Sequence, residues 1–267
     1  MSAYISVLKL RFINGLQYRS AALAGVLTQL FFGFIFIMIF VAFYSQSAAQ
    51  PPITLKELVA YIWLQQIFLA FIALWYRDGE IFSLITSGNI AYELCRPCGI
   101  YRFWFAKLLA QRFSSAILRC FPILLVVLIL PEPYRLSPPP SPAAFGLFIS
   151  ALLLGLLVNV AISMLIYISV FWTMSPTGST LMIAVTGEFF SGMILPIPLM
   201  PTWLQNIAYA LPFRWTADFP FRVYSGQIPQ AEAMWGILAQ LLWLAVMAGI
   251  GAWSLRRALR QVVVQGG

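Results

Sequence analysis

Long apolar runs alternate along the chain with short charged or proline-rich segments, and the runs are too long for ordinary soluble helices. From Ala21 to Tyr44, 24 residues pass without a charge, where a helix crossing a bilayer needs about 20. Leu58–Tyr76 adds 19 uncharged residues. A third run, 108–130, is apolar apart from Arg112 and Arg119 and stops at Pro131 and the Pro/Ser-rich stretch behind it. The fourth, 143–173, has 31 residues, more than the hydrocarbon requires, which predicts tilt or extension beyond the membrane. The fifth, 179–195, carries Glu188 in its interior, and the sixth, 233–255, leads into Arg256, Arg257 and Arg260. The pattern predicts an all-α integral membrane protein of six spans in one domain.

The remaining segments are not featureless. Residues 1–19 place Tyr4, Val7, Leu8, Phe12 and Leu16 at helical spacing with Lys9, Arg11 and Asn14 elsewhere on the wheel, a helix lying along the membrane interface. Residues 81–96 predict a short helix parallel to the membrane, ended by Arg96-Pro97 because proline disfavours helix in the residue before it. The stretch 196–215 is apolar but broken by Pro196, Pro198, Pro201 and Pro212, and lipid cannot satisfy the backbone groups that such breaks release. A break of the fifth span near Pro196, then a helix from Thr202 to Ala210 dipping back into the outer leaflet, meets both constraints. Thr202 is the expected N-cap, with Trp203, Tyr209 and Trp215 at the interface.

Composition agrees: 61% of residues are hydrophobic, 9% are charged and the mean hydropathy is +0.88, far from the quarter charged of soluble domains. Charge decides the orientation. Lys9, Arg11, Arg19, Arg77, Arg96, Arg102, Lys107, Arg112, Arg119, Arg256, Arg257 and Arg260 fall on one side, opposed only by Asp78, Glu80 and Glu93. Lys56, Arg135, Arg214 and Arg222 on the other are balanced by Glu57, Glu132, Asp218 and Glu232. Basic loops stay cytoplasmic, so both termini are expected inside. A pI near 9.7 is thereby assigned to topology and anionic lipid rather than to nucleic acid, since no basic stripe interleaved with aromatics extends beyond the membrane surface. The N-terminal segment lacks the organisation of a cleaved secretory signal and is expected to be retained.

Few residues offer chemistry. Histidine is absent and the cysteines are 95, 98 and 120. Cys95-Arg96-Pro97-Cys98 is a C-x-x-C, but redox chemistry of that motif wants a strand before it and zinc wants two more ligands; a docking segment is the favoured reading. Glu188, the one acid inside a span, either lines a path for a cationic group or a proton, or is a protonated group bonded to a neighbouring helix. Asn159 and Ser163, four apart on the fourth span, fit bonding between helices better than a substrate cavity. Arg119 is expected to snorkel toward the basic surface. A membrane-embedded enzyme would need a nucleophile with a base or a carboxylate pair, and Ser191 and Glu188 have neither. A passive channel would need a recurrent polar face along one helix.

Ser191-Gly192 with Pro196, then Pro201-x-Trp203-Leu204-Gln205 and Leu211-Pro212, resembles the "SG...P...P.WLQ...NP" region of ABC-2 type exporter permeases. Ser87-Gly88-Asn89-Ile90 with Glu93-Leu94-x-Arg96-Pro97 resembles the "SG.I...L.RP" signature of a bacterial branch of that family, while Phe213–Trp215 departs from the family's polar-aromatic ending. The resemblance implies the transmembrane half of an ATP-driven exporter in a bacterial cytoplasmic membrane, with re-entrant helices between spans five and six. It also implies a coupling helix offering Ser87, Asn89, Glu93 and Arg96 to a cytosolic ATPase with two nucleotide-binding subunits, and a second permease, identical or homologous. Glu188, Asn159, Phe189 and Phe190 become candidates for the path or gate of an amphipathic substrate. No lysine of this chain follows a glycine, so it has no P-loop, and ATP and Mg are expected on the partner rather than here.

Overall fold

The computed structural model describes residues 2–46 and 51–261, so Met1 of the expected interfacial helix lies outside it. The described residues form twelve α-helices and no strand. Among the described residues, four helices are long and apolar enough to cross a membrane: α2 (Arg19–Gln46), α7 (Ile100–Ile129), α8 (Pro142–Thr173) and α12 (Gln230–Leu259). The chain is an all-α, multi-pass membrane protein. Two thirds of the most apolar stretch of α8 is buried, against 22–28% in the other three, so α8 is the central post and the others turn a face outward. At 32 residues α8 is about 48 Å long, as the overlong fourth run predicts.

The other two expected spans are realised differently. Residues 58–76 become α3 (Leu55–Ile67) and α4 (Leu69–Ile72), separated at Phe68 and ending at the extended Ala73. The start of α3 is fixed by a capping box in which Thr54 Oγ1 accepts from the Glu57 N–H and Glu57 Oε2 accepts from the Thr54 N–H at 2.8 Å. Its end is an interruption inside the protein. The fifth run gives only α9 (Pro176–Phe190), 15 residues, about 22 Å and short of a hydrocarbon core near 30 Å. It stops at Ser191-Gly192 rather than near Pro196, because Gly192 adopts φ +84°, a left-handed turn that terminates a helix.

Short helices close both ends. At the basic end, α1 (Ser2–Leu16) lies along α7, where Tyr4 OH accepts a hydrogen bond from the Gly99 N–H at 3.1 Å. The expected helix 81–96 is instead two pieces, α5 (Gly79–Thr86) and α6 (Ile90–Leu94), divided at Gly88, whose φ of +74° a continuous helix cannot accommodate. At the opposite end a 3-10 turn over Ile197–Leu199 precedes α10 (Thr202–Ala210), with the bounds the prolines predict. Thr202 is its first residue rather than its cap: Pro201 holds that position without a side-chain bond. Between that region and α12 lies α11 (Asp218–Ser225), packed on α3 and α8.

Candidate functional site

Interrupted helices expose carbonyls, and lipid has no donors for them. At the α3–α4 interruption the donors come from α7 and α8. Arg112, 2% exposed, directs Nη1 to the carbonyls of Ala73 at 2.7 Å and Ala70 at 3.1 Å, and Nη2 to Ser163 Oγ at 2.9 Å. Asn159 Nδ2 donates to the Phe71 carbonyl at 2.7 Å, Ser163 Oγ to the Asn159 carbonyl at 2.8 Å, and Cys120 Sγ to the Ile67 carbonyl at 3.0 Å. Asn159 and Ser163 therefore bond between helices, as their spacing suggests. The charge at the centre of the group, Arg112, is counted in the sequence only as a cation toward the basic side. Arg119 packs beside Gly25, about two turns from the basic start of α2.

The α9 break is satisfied in the same manner by α3 and the start of α11. Tyr61 OH donates to the Gly192 carbonyl at 3.2 Å, Gln65 Nε2 to the same oxygen at 2.9 Å, and the Asp218 N–H to the Ser191 carbonyl at 3.1 Å. Ser191 Oγ is committed to the Glu188 carbonyl at 3.1 Å. Pro196 is buried and Pro201 exposed, and Trp203 is 64% exposed, on the outer side of α10.

Beside this break a cavity of about 370 Å³ opens between α2, the α3–α4 junction and the end of α9. Phe32, Phe36 and Trp75 make its walls apolar, and Gln29, Gln65, Gln66 and Glu188 contribute polar groups. Both amide atoms of Gln29 and one carboxyl oxygen of Glu188 are buried without a hydrogen-bond partner among the described residues. A cavity of this kind accepts an apolar body with a hydrogen-bonding or cationic group. Glu188 lines it, whereas Asn159 is fully buried in the Arg112 group; Phe189 and Phe190 stack edge-to-face at 5.2 Å, half-buried. Gln29, Gln65 and Gln66 pass unnoticed in a search for charges. The available signal is Gln29 in the stripe Ala22, Val26, Gln29, Gly33, Ile37, the buried positions of α2.

At the basic end α5 is fastened to three neighbours. Asp78 caps it, Oδ1 accepting from the Glu80 N–H at 2.9 Å, and its own N–H donates to Tyr167 OH on α8 at 2.7 Å. Lys107 of α7, 4% exposed, meets Asp78 at 3.2 Å and Glu80 at 2.9 Å, and Arg11 of α1 also pairs with Glu80. Burial would raise the Glu80 carboxyl, but hydrogen bonds from Lys107 and Arg11 outweigh it and hold Glu80 below the usual glutamate value. On α6 the expected polar face is only partly exposed. Ser87, Asn89 and Arg96 face outward, but Glu93 is buried at 5% and paired with Arg96 at 3.2 Å. The prominent exposed side chain is Tyr92, at 74%.

No family model, no curated protein and no solved structure matches the chain. The functional reading rests on the geometry and on the motifs quoted above.

Proposed function

We infer that the chain is the permease subunit of an ABC exporter that moves an amphipathic or hydrophobic compound, such as a drug, peptide or lipid-like molecule, out of the cytoplasm. The observation that carries this reading is the fastening of α5: a short helix at the basic surface, tied by the buried Asp78–Lys107 pair to α7, by Tyr167 to α8 and by Arg11 to α1. A push on α5–α6 is delivered to two long membrane helices as a rigid-body motion, which is what a motor bound at that surface requires. In this reading α3–α4 and α9 complete six spans with both termini inside. Residues 196–215 re-enter from the outer face, and the Glu188 cavity lies on the substrate path. The motor is a cytosolic ATPase with two nucleotide-binding subunits carrying ATP and Mg, and a second permease completes the assembly in a bacterial cytoplasmic membrane.

What weighs against the membrane-enzyme alternative is that the Ser191 hydroxyl donates to the Glu188 carbonyl rather than to a base. The test is co-purification of the permease with an ATP-hydrolysing subunit and reconstitution of both in vesicles. Arg96→Glu and Tyr92→Asp should each release that subunit and lower ATP turnover while leaving the permease in the membrane. Unchanged association and turnover in both variants would remove the docking role.

A further inference from the structure

A second groove, of about 530 Å³, lies at the basic end between α1, the start of α7 and the end of α12. Its composition is distinctive: Arg102 and Arg256 come from opposite walls, and no carboxylate among the described residues lines it. The nearest acid on α6, Glu93, is already paired with Arg96. Arg256 uses Nε on its own helix, at the Ala252 carbonyl, which leaves its terminal nitrogens for another acceptor. Tyr101 OH is buried in the groove without a hydrogen-bond partner. Tyr4 OH accepts from Gly99, so its own proton remains to be donated. Gly251 holds the Tyr101 ring flush on α12, since a Cβ there would press on the ring at 2.9 Å.

The same groove receives the N-terminus of α7, a 30-residue helix with no side-chain cap and no acid in its first turn. Such a terminus favours an anion, and here it faces two arginines and two hydroxyls rather than open solvent. Apolar side chains share the wall with these polar groups: Ile100, Leu255 and Leu259. Basic groups beside an apolar wall suit a membrane lipid, and basic pockets between helices on the positive side are where anionic headgroups bind.

We propose that this groove binds an anionic phospholipid from the leaflet at the basic end, its phosphate between Arg102 and Arg256 and within reach of the Tyr101 hydroxyl. A zwitterionic lipid would bring a cation toward two arginines that have no acid to receive it, so the groove discriminates by net headgroup charge. The occupant adds a tie between α7 and α12.

The test uses the purified full chain in a mild neutral detergent, titrated with dioleoyl phosphatidylglycerol or dioleoyl phosphatidylcholine and read by native mass spectrometry. Wild type should retain a phosphatidylglycerol molecule at least about tenfold more tightly than phosphatidylcholine, and Arg102→Gln and Arg256→Gln should each weaken it about tenfold. Arg257→Gln is the control, because Arg257 is turned onto Trp253 at 5.8 Å and is absent from the groove; it should bind as wild type. Tyr101→Phe, which removes a hydroxyl and no charge, should weaken binding severalfold and keeps the test decisive should an arginine variant misfold. Equal losses in Arg257→Gln and Arg256→Gln would reduce the effect to general surface charge. Equal retention of phosphatidylcholine, unaltered binding in the groove variants, or displacement by millimolar inorganic phosphate alone would each overturn the proposal.

Discussion

Replacing Arg112 by leucine tests whether a buried cation holds an interrupted helix together. The guanidinium bonds to the Ala73 and Ala70 carbonyls at 2.7 and 3.1 Å and to Ser163 at 2.9 Å. Leucine fills much of the volume but leaves the two carbonyls without donors, at about 1–3 kcal/mol each. Ser163 is spared, because it still donates to the Asn159 carbonyl. Removing a buried charge returns part of its desolvation cost, which is why removing both members of a buried polar pair can be neutral. Here the acceptors stay behind in a place that water does not reach, so the orphaned carbonyls dominate and the net loss is about 3 kcal/mol. For a chain of this size that lowers Tm by about 6–12 °C.

Cys120 provides the readout. Its thiol donates to the Ile67 carbonyl at the same interruption, at 3.0 Å, so a thiol-reactive dye in a Cys95→Ser, Cys98→Ser background reports the opening of this junction on heating. Ser163→Ala should cost about 2 kcal/mol, since it removes the acceptor of a buried Arg112 N–H as well as a bond to the Asn159 carbonyl, and Arg112→Lys should fall between, since a point-like ammonium cannot reproduce the fork. An Arg112→Leu protein with wild-type or higher Tm, and no earlier labelling of Cys120, would refute the capping role.

Four other outcomes follow from the geometry. Gly192→Ala should destabilise by about 2 kcal/mol or more through the left-handed backbone at φ +84° and a methyl pressed onto the Tyr61 hydroxyl, and Tyr61→Phe in the same chain should relieve only the steric part, as thermal melts would show. Lys107→Met leaves Asp78 buried and unpaired, and a loss of about 3–5 kcal/mol with weakened attachment of α5 to α7 is expected; equal thermal stability would contradict the clamp. Because the folded Glu80 value lies below its unfolded value, its contribution is complete above the ordinary glutamate value and is lost as pH falls through the depressed one; Tm between pH 7 and pH 3 should therefore drop by a small step, within about 1 kcal/mol for so exposed a group, that Glu80→Gln abolishes. Cys95→Ser with Cys98→Ser should leave ATP-driven transport intact, and a collapse would restore a redox role to the pair.

What could be read from the chain, and what could not, divides along physical lines. Long apolar runs and the prolines around α10 act locally, so four spans and the limits Thr202–Ala210 are visible in the residues themselves. The interruptions at Phe68 and Gly192 are not, because a helix break inside a membrane is permitted by side chains far away in sequence: Arg112 and Asn159 for one, Tyr61 and Gln65 for the other. Phe68 carries no breaker signal, and Gly192 precedes a proline that draws the eye four residues too far. Glu93 misleads for a related reason. A carboxylate three residues before Arg96 satisfies that partner by folding inward, and only the packing of α6 reveals it. The three glutamines of the cavity are uncharged, so a reading by charge passes over them although they supply most of its polarity.

The two interruptions also bear on how such a molecule can move. A helix end capped by its own backbone must unravel to shift, but one capped by side chains of a neighbour can exchange partners by sliding. The Gly192 and Met193 carbonyls at the end of α9 are held by Gln65, and Gln65 also faces the cavity, where Gln29 has an amide without partners and Glu188 a free carboxyl oxygen. Displacing α9 from α3 therefore moves these carbonyls toward unused donors and a space able to admit water, instead of toward lipid. The cost of separation is limited to bonds that can be remade, of order 1 kcal/mol each, rather than the several kcal/mol of a polar group left bare in hydrocarbon. By contrast, the α4 end is held more firmly: its acceptors face one arginine and one asparagine, both fully buried. Any movement between α3–α4 and α9 thus concentrates at the Gly192 side, and substitutions at Gln65 should alter the ease of that movement more than substitutions at Asn159, which should act on stability instead.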